Sequence, residues 1–327
     1  MAAPAPHDVR PARVGCARAL LLATALVLAA AGCSSSARDP APTSTSSTTV
    51  NRAAMPVPAG SSVHSITVDG RTRTFLLYRP ASLPTSHAVP LVVMIHGGYG
   101  SARDAEADYG WNAQARAGGF VVAYPAGWHR AWNAGGLCCG MPASSGVDDV
   151  KFLSQLVSNV RSALPIDPAR IYAAGISNGG IMAYRLACET TLFAAIGVTA
   201  ATQLGPCPHP RALSVIHVHG LADRLVPFAG PGAATPDAAV YGPPVPQVVA
   251  GWRSVDRCAP PSSTSDGIVT TSVSPCPNGR AVELVTIAGA GHQWPGARPG
   301  ATETDPPSLS LDATAVIWAF FESHPRR

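Results

Sequence analysis

Ile171-Tyr172-Ala173-Ala174-Gly175-Ile176-Ser177-Asn178-Gly179-Gly180 decides how the rest of this 327-residue chain is read. Four residues of strand character run straight into Gly-x-Ser-x-Gly, and Gly180 to Cys188 continues with helical character. That is the strand–turn–helix context in which a serine hydroxyl is exposed as a nucleophile. The five-residue pattern alone is weak. With 31 Gly and 28 Ser in the chain, random placement supplies about 0.25 matches. Its weight comes from what surrounds it.

Outward from the turn, Leu91 to Ile95 and Phe120 to Tyr124 are continuous apolar runs, as expected of strands buried on both faces. Residues 64–68 and 73–78 alternate around Asp69-Gly70, a hairpin signal. Further strand-like stretches lie at 193–199, 214–217 and 282–287, and helices are expected near 102–117, 147–164 and 312–323. Strands alternating with helices predict an α/β fold with a mainly parallel central sheet flanked by helices. In such sheets active groups sit beyond the carboxyl ends of the strands.

The chemical candidates lie at those ends. Ser177 is the nucleophile. The amide of Asn178, at a helix start, is placed to hold an oxyanion. His96-Gly97-Gly98-Tyr99 follows an early strand and can supply the second amide, from Gly98 or Tyr99. His96 itself reads as a structural hydrogen-bonder. An acid and a base must follow in the order Ser, Asp, His. Asp223 lies just past the strand 214–217 and would orient an imidazole. Its rivals fail on position: Asp148 and Asp149 precede Ser177, and Asp237 and Asp256 are not at strand ends. His292, in Gly289-Ala290-Gly291-His292-Gln293-Trp294-Pro295-Gly296, is the base, with His217 and His219 in the wrong order. A neutral base predicts activity that rises as pH passes through about 6 to 7.

These motifs, together with Trp132-Asn133, Gly146-Val147-Asp148-Asp149-Val150 and Val226-Pro227, resemble the polyhydroxybutyrate depolymerase family of esterases. Within it they are most similar to actinobacterial lipoprotein esterases, relatives of feruloyl and acetyl-xylan esterases. The resemblance runs from about residue 62 to 324. It implies the α/β-hydrolase fold and the roles of Ser177, Asp223 and His292 as nucleophile, acid and base. It also makes Trp132, Asn133 and Trp294 candidates for the substrate rim. No cofactor and no metal are implied.

The ends bound the setting. Arg10, Arg13 and Arg18 precede an apolar run, Ala19 to Ala31, of signal-peptide length. The run ends in Ala30-Ala31-Gly32-Cys33, which resembles a lipobox with Cys33 lipidated, although Ala30 stands where Leu is usual. An ordinary signal peptide cleaved after Ala29-Ala30-Ala31 is the other reading. Residues 1–32 are thus read as the signal peptide, 33–60 as a Ser/Thr/Pro/Ala-rich linker, and 61–327 as the catalytic domain. Removing residues 1–32 leaves a net charge of about +2, too little to suggest a nucleic-acid partner. The expected setting is extracytoplasmic: a lipid anchor in the membrane, or secretion. Six cysteines of the mature domain suggest disulfides. Cys258 with Cys276 is expected, and Cys188 with Cys207 is a second pairing. Cys138 and Cys139 are open to a bond with each other or with separate partners. No C-x-x-C spacing favours zinc.

The expected function is hydrolysis of carboxylic esters through an acyl-serine. The substrate is a small or soluble acyl ester, or a polyester or polysaccharide ester. No lipase-type lid insertion follows Ser177. Acyl transfer and an inactive surface binding protein are the alternatives.

Overall fold

The computed structural model describes residues 57–83, 87–232, 239–298 and 304–327. Segment 1–32, most of the linker, Cys33 and Asp237 lie outside the described residues. All described residues belong to one unit, Arg52–Arg327.

The elements run β1 (Gly60–Val68), β2 (Arg71–Arg79), β3 (Val89–Ile95), α1 (Ala102–Asp108), α2 (Trp111–Gly118), β4 (Val121–Pro125), α3 (Gly140–Ser144), α4 (Asp149–Ala163), β5 (Ile166–Ile176) and α5 (Asn178–Glu189). They continue as β6 (Ala195–Thr199), β7 (Ser214–Gly220), α6 (Val245–Val255), β8 (Ser262–Asp266), β9 (Val269–Cys276), β10 (Arg280–Ile287) and α7 (Ala313–Ser323). The strands form one sheet in the order β1-β2-β4-β3-β5-β6-β7-β10-β9-β8. The six from β4 to β10 are parallel, and an antiparallel hairpin closes each side.

Alternation along the central strands explains why they read as unbroken apolar runs. Leu91, Val93 and Ile95 of β3 face one core, with Phe152 of α4, Ile181 of α5 and Trp252 of α6. Val92 and Met94 face the other, with Trp111 of α2 and Ile317 and Phe321 of α7. Helices therefore cover both faces, the condition under which parallel strands are stable.

Three expectations about elements are corrected. The helix near 102–117 is two helices, broken where Gly110 takes φ 77°. No strand is expected between Cys258 and Cys276 from the sequence, yet β8 and β9 pair there around Gly267-Ile268. Every β8 residue is exposed, so no apolar alternation marks the strand. Helix α6 also lay outside the expectations.

Gly60 pairs with Arg79, and Tyr78 pairs with Val122 at the start of β4. The chain thus enters the sheet at the amino edge of the parallel strands, while Ser177 follows β5 at the carboxyl edge.

Candidate active site

Ser177 sits between β5 and α5 with φ 55° and ψ −127°. A left-handed φ is costly for a residue with a side chain and persists only where the surroundings over-determine it. Here Gly179 makes the turn possible: a Cβ on it would lie 2.2 Å from the Ile95 carbonyl oxygen. The Ser177 N–H donates to Thr199 O at 3.0 Å. Ser177 is half-exposed, although the residues on either side of it are buried.

The same edge continues across the sheet. Ala200 N–H donates to Val218 O (3.0 Å) and Leu221 N–H to Ile287 O (3.0 Å). Backbone bonds thus tie the Ser177 turn to the loops after β7 and β10. Gly220 lets the last two loops stack, since a Cβ there would lie 2.3 Å from Ala290 O. Asp223 and His292 meet in that stack. His292 Nδ1–H donates to Asp223 Oδ2 at 2.8 Å. Asp223 Oδ1 accepts from the amides of Leu225 (3.0 Å) and Val226 (2.9 Å). With Nδ1 committed, the neutral His292 ring keeps Nε2 as a proton acceptor.

The rival acids are occupied elsewhere. Asp149 is buried and ion-paired with Arg73 at 2.7 Å. Asp148 caps α4 through the Lys151 amide (2.8 Å), and Asp256 pairs with Arg280 at 2.6 Å.

Amides beside the turn come from two places. Helix α5 begins at Asn178, and the first amides of a helix have no intrahelical acceptor. The Asn178 side chain is held by the loop after β4: Oδ1 accepts from Trp132 N–H (2.7 Å) and Nδ2 donates to Trp132 O (3.1 Å). Asp149 steadies that loop by accepting the Asn133 amide at 2.7 Å. From the β3 loop, a Cβ on Gly98 would stand 3.7 Å from Asn178 Cβ. The Gly98 amide has no acceptor among the described residues. Tyr99 is corrected: its N–H already donates to Arg130 O at 2.8 Å. His96 is a structural group. Its Nδ1–H donates to Gly97 O (2.7 Å), its Nε2 accepts from Gly127 N–H (2.9 Å), and burial pushes its pKa down to about 4.

The two tryptophans are also corrected. Trp132 and Trp294 are both 0% exposed. Trp132 Nε1–H donates to His96 O at 2.8 Å, and Trp294 Nε1–H donates to Thr314 Oγ1 at 3.0 Å. Both are core side chains with satisfied donors, so neither forms a substrate rim. Asn133 borders a cavity of about 410 Å³, but its Nδ2 is committed to Val147 O at 2.9 Å. One residue escaped the sequence reading. Asp305 Oδ2 accepts the His292 amide at 2.6 Å, and Asp305 N–H donates to His292 O at 3.2 Å. Nothing in its Pro-rich surroundings signals that clamp.

Three cysteine pairs are bonded: Cys138–Cys139, Cys188–Cys207 and Cys258–Cys276.

Residues 74–263 match the family described as esterase PHB depolymerase. The chain is 31% identical to the "Putative esterase NocK" of Nocardia uniformis subsp. tsuyamanensis, over 93% of this chain and 98% of that protein. It is 27% identical to feruloyl esterase B of Piromyces equi over 67% of this chain, but 42% of that protein. The acetyl xylan esterase from Aspergillus awamori superposes over 80% of the chain with a TM-score of 0.56 at 15% identity, a likeness of fold. The chain belongs to the esterase PHB depolymerase family, as a carboxylic ester hydrolase of α/β-hydrolase fold.

Proposed function

We propose that this esterase works through an acyl-enzyme on Ser177, with His292 as base and Asp223 as acid. The observation that carries the reading is the 2.8 Å contact between His292 Nδ1 and Asp223 Oδ2, on the strand edge that also bears the Ser177 turn. Ser177 Oγ attacks the ester carbonyl carbon while its proton passes to His292 Nε2. The amides of Asn178 and Gly98 hold the oxyanion, and one such donor is worth about 10²–10³ in kcat. The C–O bond then breaks, and the alcohol leaves with the proton from His292. Water adds to the acyl-serine, giving its proton to His292. The acid departs and Ser177 is reprotonated.

The substrate is a small or soluble acyl ester, of which a feruloyl or acetyl ester is the model. Similarity to a feruloyl esterase supports this. So do large apolar side chains exposed on the connections that follow β3, β4 and β7: Tyr99, Leu137, Met141 of α3, Leu221 and Tyr241. Three disulfides support an extracytoplasmic setting, reached through residues 1–32 and held there by a lipid on Cys33.

The purified protein is offered p-nitrophenyl acetate, butyrate and palmitate beside Ser177→Ala. The wild type turns over the two short esters, and the variant loses on the order of 10⁴-fold or more in kcat. Full activity in Ser177→Ala defeats the acyl-serine reading. Mass spectrometry of membrane fractions tests the anchor, and an unmodified Cys33 removes it.

A further inference from the structure

Behind Asp223 lies a file of buried polar groups that the reaction above does not use. Tyr184 of α5, His217 and His219 of β7, and Asp223 are all buried. Tyr184 Oη lies 2.8 Å from His217 Nδ1, and His217 Nε2 lies 3.0 Å from His219 Nδ1. His219 Nε2 lies 2.9 Å from Val226 O and 3.5 Å from Asp223 Oδ2.

The far end of this file fixes every proton in it. Val226 O can only accept, so His219 Nε2 carries a hydrogen. Burial lowers the pKa of both rings and keeps them neutral, against the opposing pull of Asp223 on His219. His219 Nδ1 is then an acceptor, His217 Nε2–H its donor, and His217 Nδ1 the acceptor of the Tyr184 hydroxyl proton. The chain donates one way, from Tyr184 to the Asp223 turn.

That direction matters at Val226. Its N–H donates to Asp223 Oδ1 (2.9 Å), and its carbonyl accepts from His219. Both peptide groups flanking Val226 are pinned, and with them the carboxylate that holds His292. Without the His219 N–H, a buried carbonyl loses its donor and the turn can relax toward another. The reverse tautomer would turn a lone pair toward both Val226 O and the Asp223 carboxylate.

We infer that His219 is a positioning residue for the reaction, holding the Asp223 carboxylate in register with His292 through the 223–226 turn. The inference rests on the acid–base roles proposed above. His219 is buried behind the acid, so it acts on kcat and not on KM.

The test compares two amides that differ by one methylene. His219→Gln places an N–H near the position of Nε2, whereas His219→Asn reaches only the position of Nδ1. Kinetics with p-nitrophenyl butyrate are expected to show kcat reduced about 10- to 100-fold in His219→Asn, with KM within about twofold of wild type. In His219→Gln, kcat stays within about threefold of wild type. Equal kcat in the two variants overturns the inference, whether both are active or both are lost. Should His219→Asn fail to fold, His219→Phe decides, because it fills the place of the ring without the Nε2–H. A loss of a few-fold in kcat at unchanged KM supports the inference, and wild-type kcat overturns it. Ser177→Ala run alongside separates the two readings: if it stays active, the acyl-serine roles fail first.

Discussion

Ser177 holds a backbone conformation that few side-chain-bearing residues adopt, and its neighbours bear the cost. Gly179 shows how tightly. Its Cα packs against the carbonyls of Ile95 and His96, where a Cβ would come within 2.2 and 2.4 Å. Both obstacles are backbone of β3 and its following loop, so neither can swing aside. Gly179→Ala is therefore expected to cost at least about 3 kcal/mol, read as a shift in denaturant midpoint. A midpoint within error of wild type would show that α5 can slide. At this scale the sequence was most legible in position. Ser177, Asp223 and His292 each follow a strand of obvious apolar character. The tryptophans were not legible, because a large aromatic beside a glycine-rich loop fits a rim and a core alike. Only the packing of Trp294 against Tyr109, with ring centroids 4.9 Å apart, and of Trp132 against His96, also 4.9 Å, decides for the core. Tyr99 was unreadable for another reason. Which loop amide stays free depends on Arg130, thirty-one residues away in sequence.

Among the elements, the six parallel strands announced themselves because burial on both faces leaves their middles mainly apolar, His217 of β7 and Glu283 of β10 being exceptions. The hairpin β8–β9 did the opposite. Its outer strand is wholly exposed and made of Ser, Thr and Asp, so composition alone reads as coil. Two devices hold it in place: pairing with β10 and the Cys258–Cys276 bond, which joins the end of α6 to the end of β9. The bond closes a loop with a sequence separation of 18. Cross-linking a loop of that size is worth about 3 kcal/mol by restriction of the unfolded chain. The double variant Cys258→Ala/Cys276→Ala should lose about that much stability while keeping its activity on short esters, since the hairpin lies beyond β10. Equilibrium unfolding beside a p-nitrophenyl butyrate assay checks both halves. Loss of activity in a variant that remains folded would mean that the hairpin supports His292. Helix α6 escaped notice because proline-rich sequence leads into it, and Pro244 serves as its cap.

For the whole molecule, buried neutral histidines set the response to acid. His96 is held down to about 4 by burial, and burial also lowers His217 and His219. Below about pH 6.5 the unfolded chain binds protons at these sites that the native state refuses, at His96 down to about pH 4. Stability is therefore full above about pH 6.5 and is lost as pH falls. His96 alone contributes about 3 kcal/mol. Asp256 and Glu283, pushed up by burial, act with the opposite sign and blunt the lower part of this slope. Thermal unfolding from pH 7 to 4.5 should show Tm falling by on the order of 6 °C or more. A flat Tm would mean that the rings find protons in the folded state. The path of the chain has a practical side as well. Gly60 opens β1 at the amino edge of the sheet, and Ser177 stands some six residues farther along the strand direction, on the order of 20 Å away. A fusion partner, an affinity bead or an electrode surface joined directly at Val57 meets the domain on the side away from the Ser177 turn. An immobilised form of this esterase would present its open edge to the bulk solution, where even a bulky ester could dock.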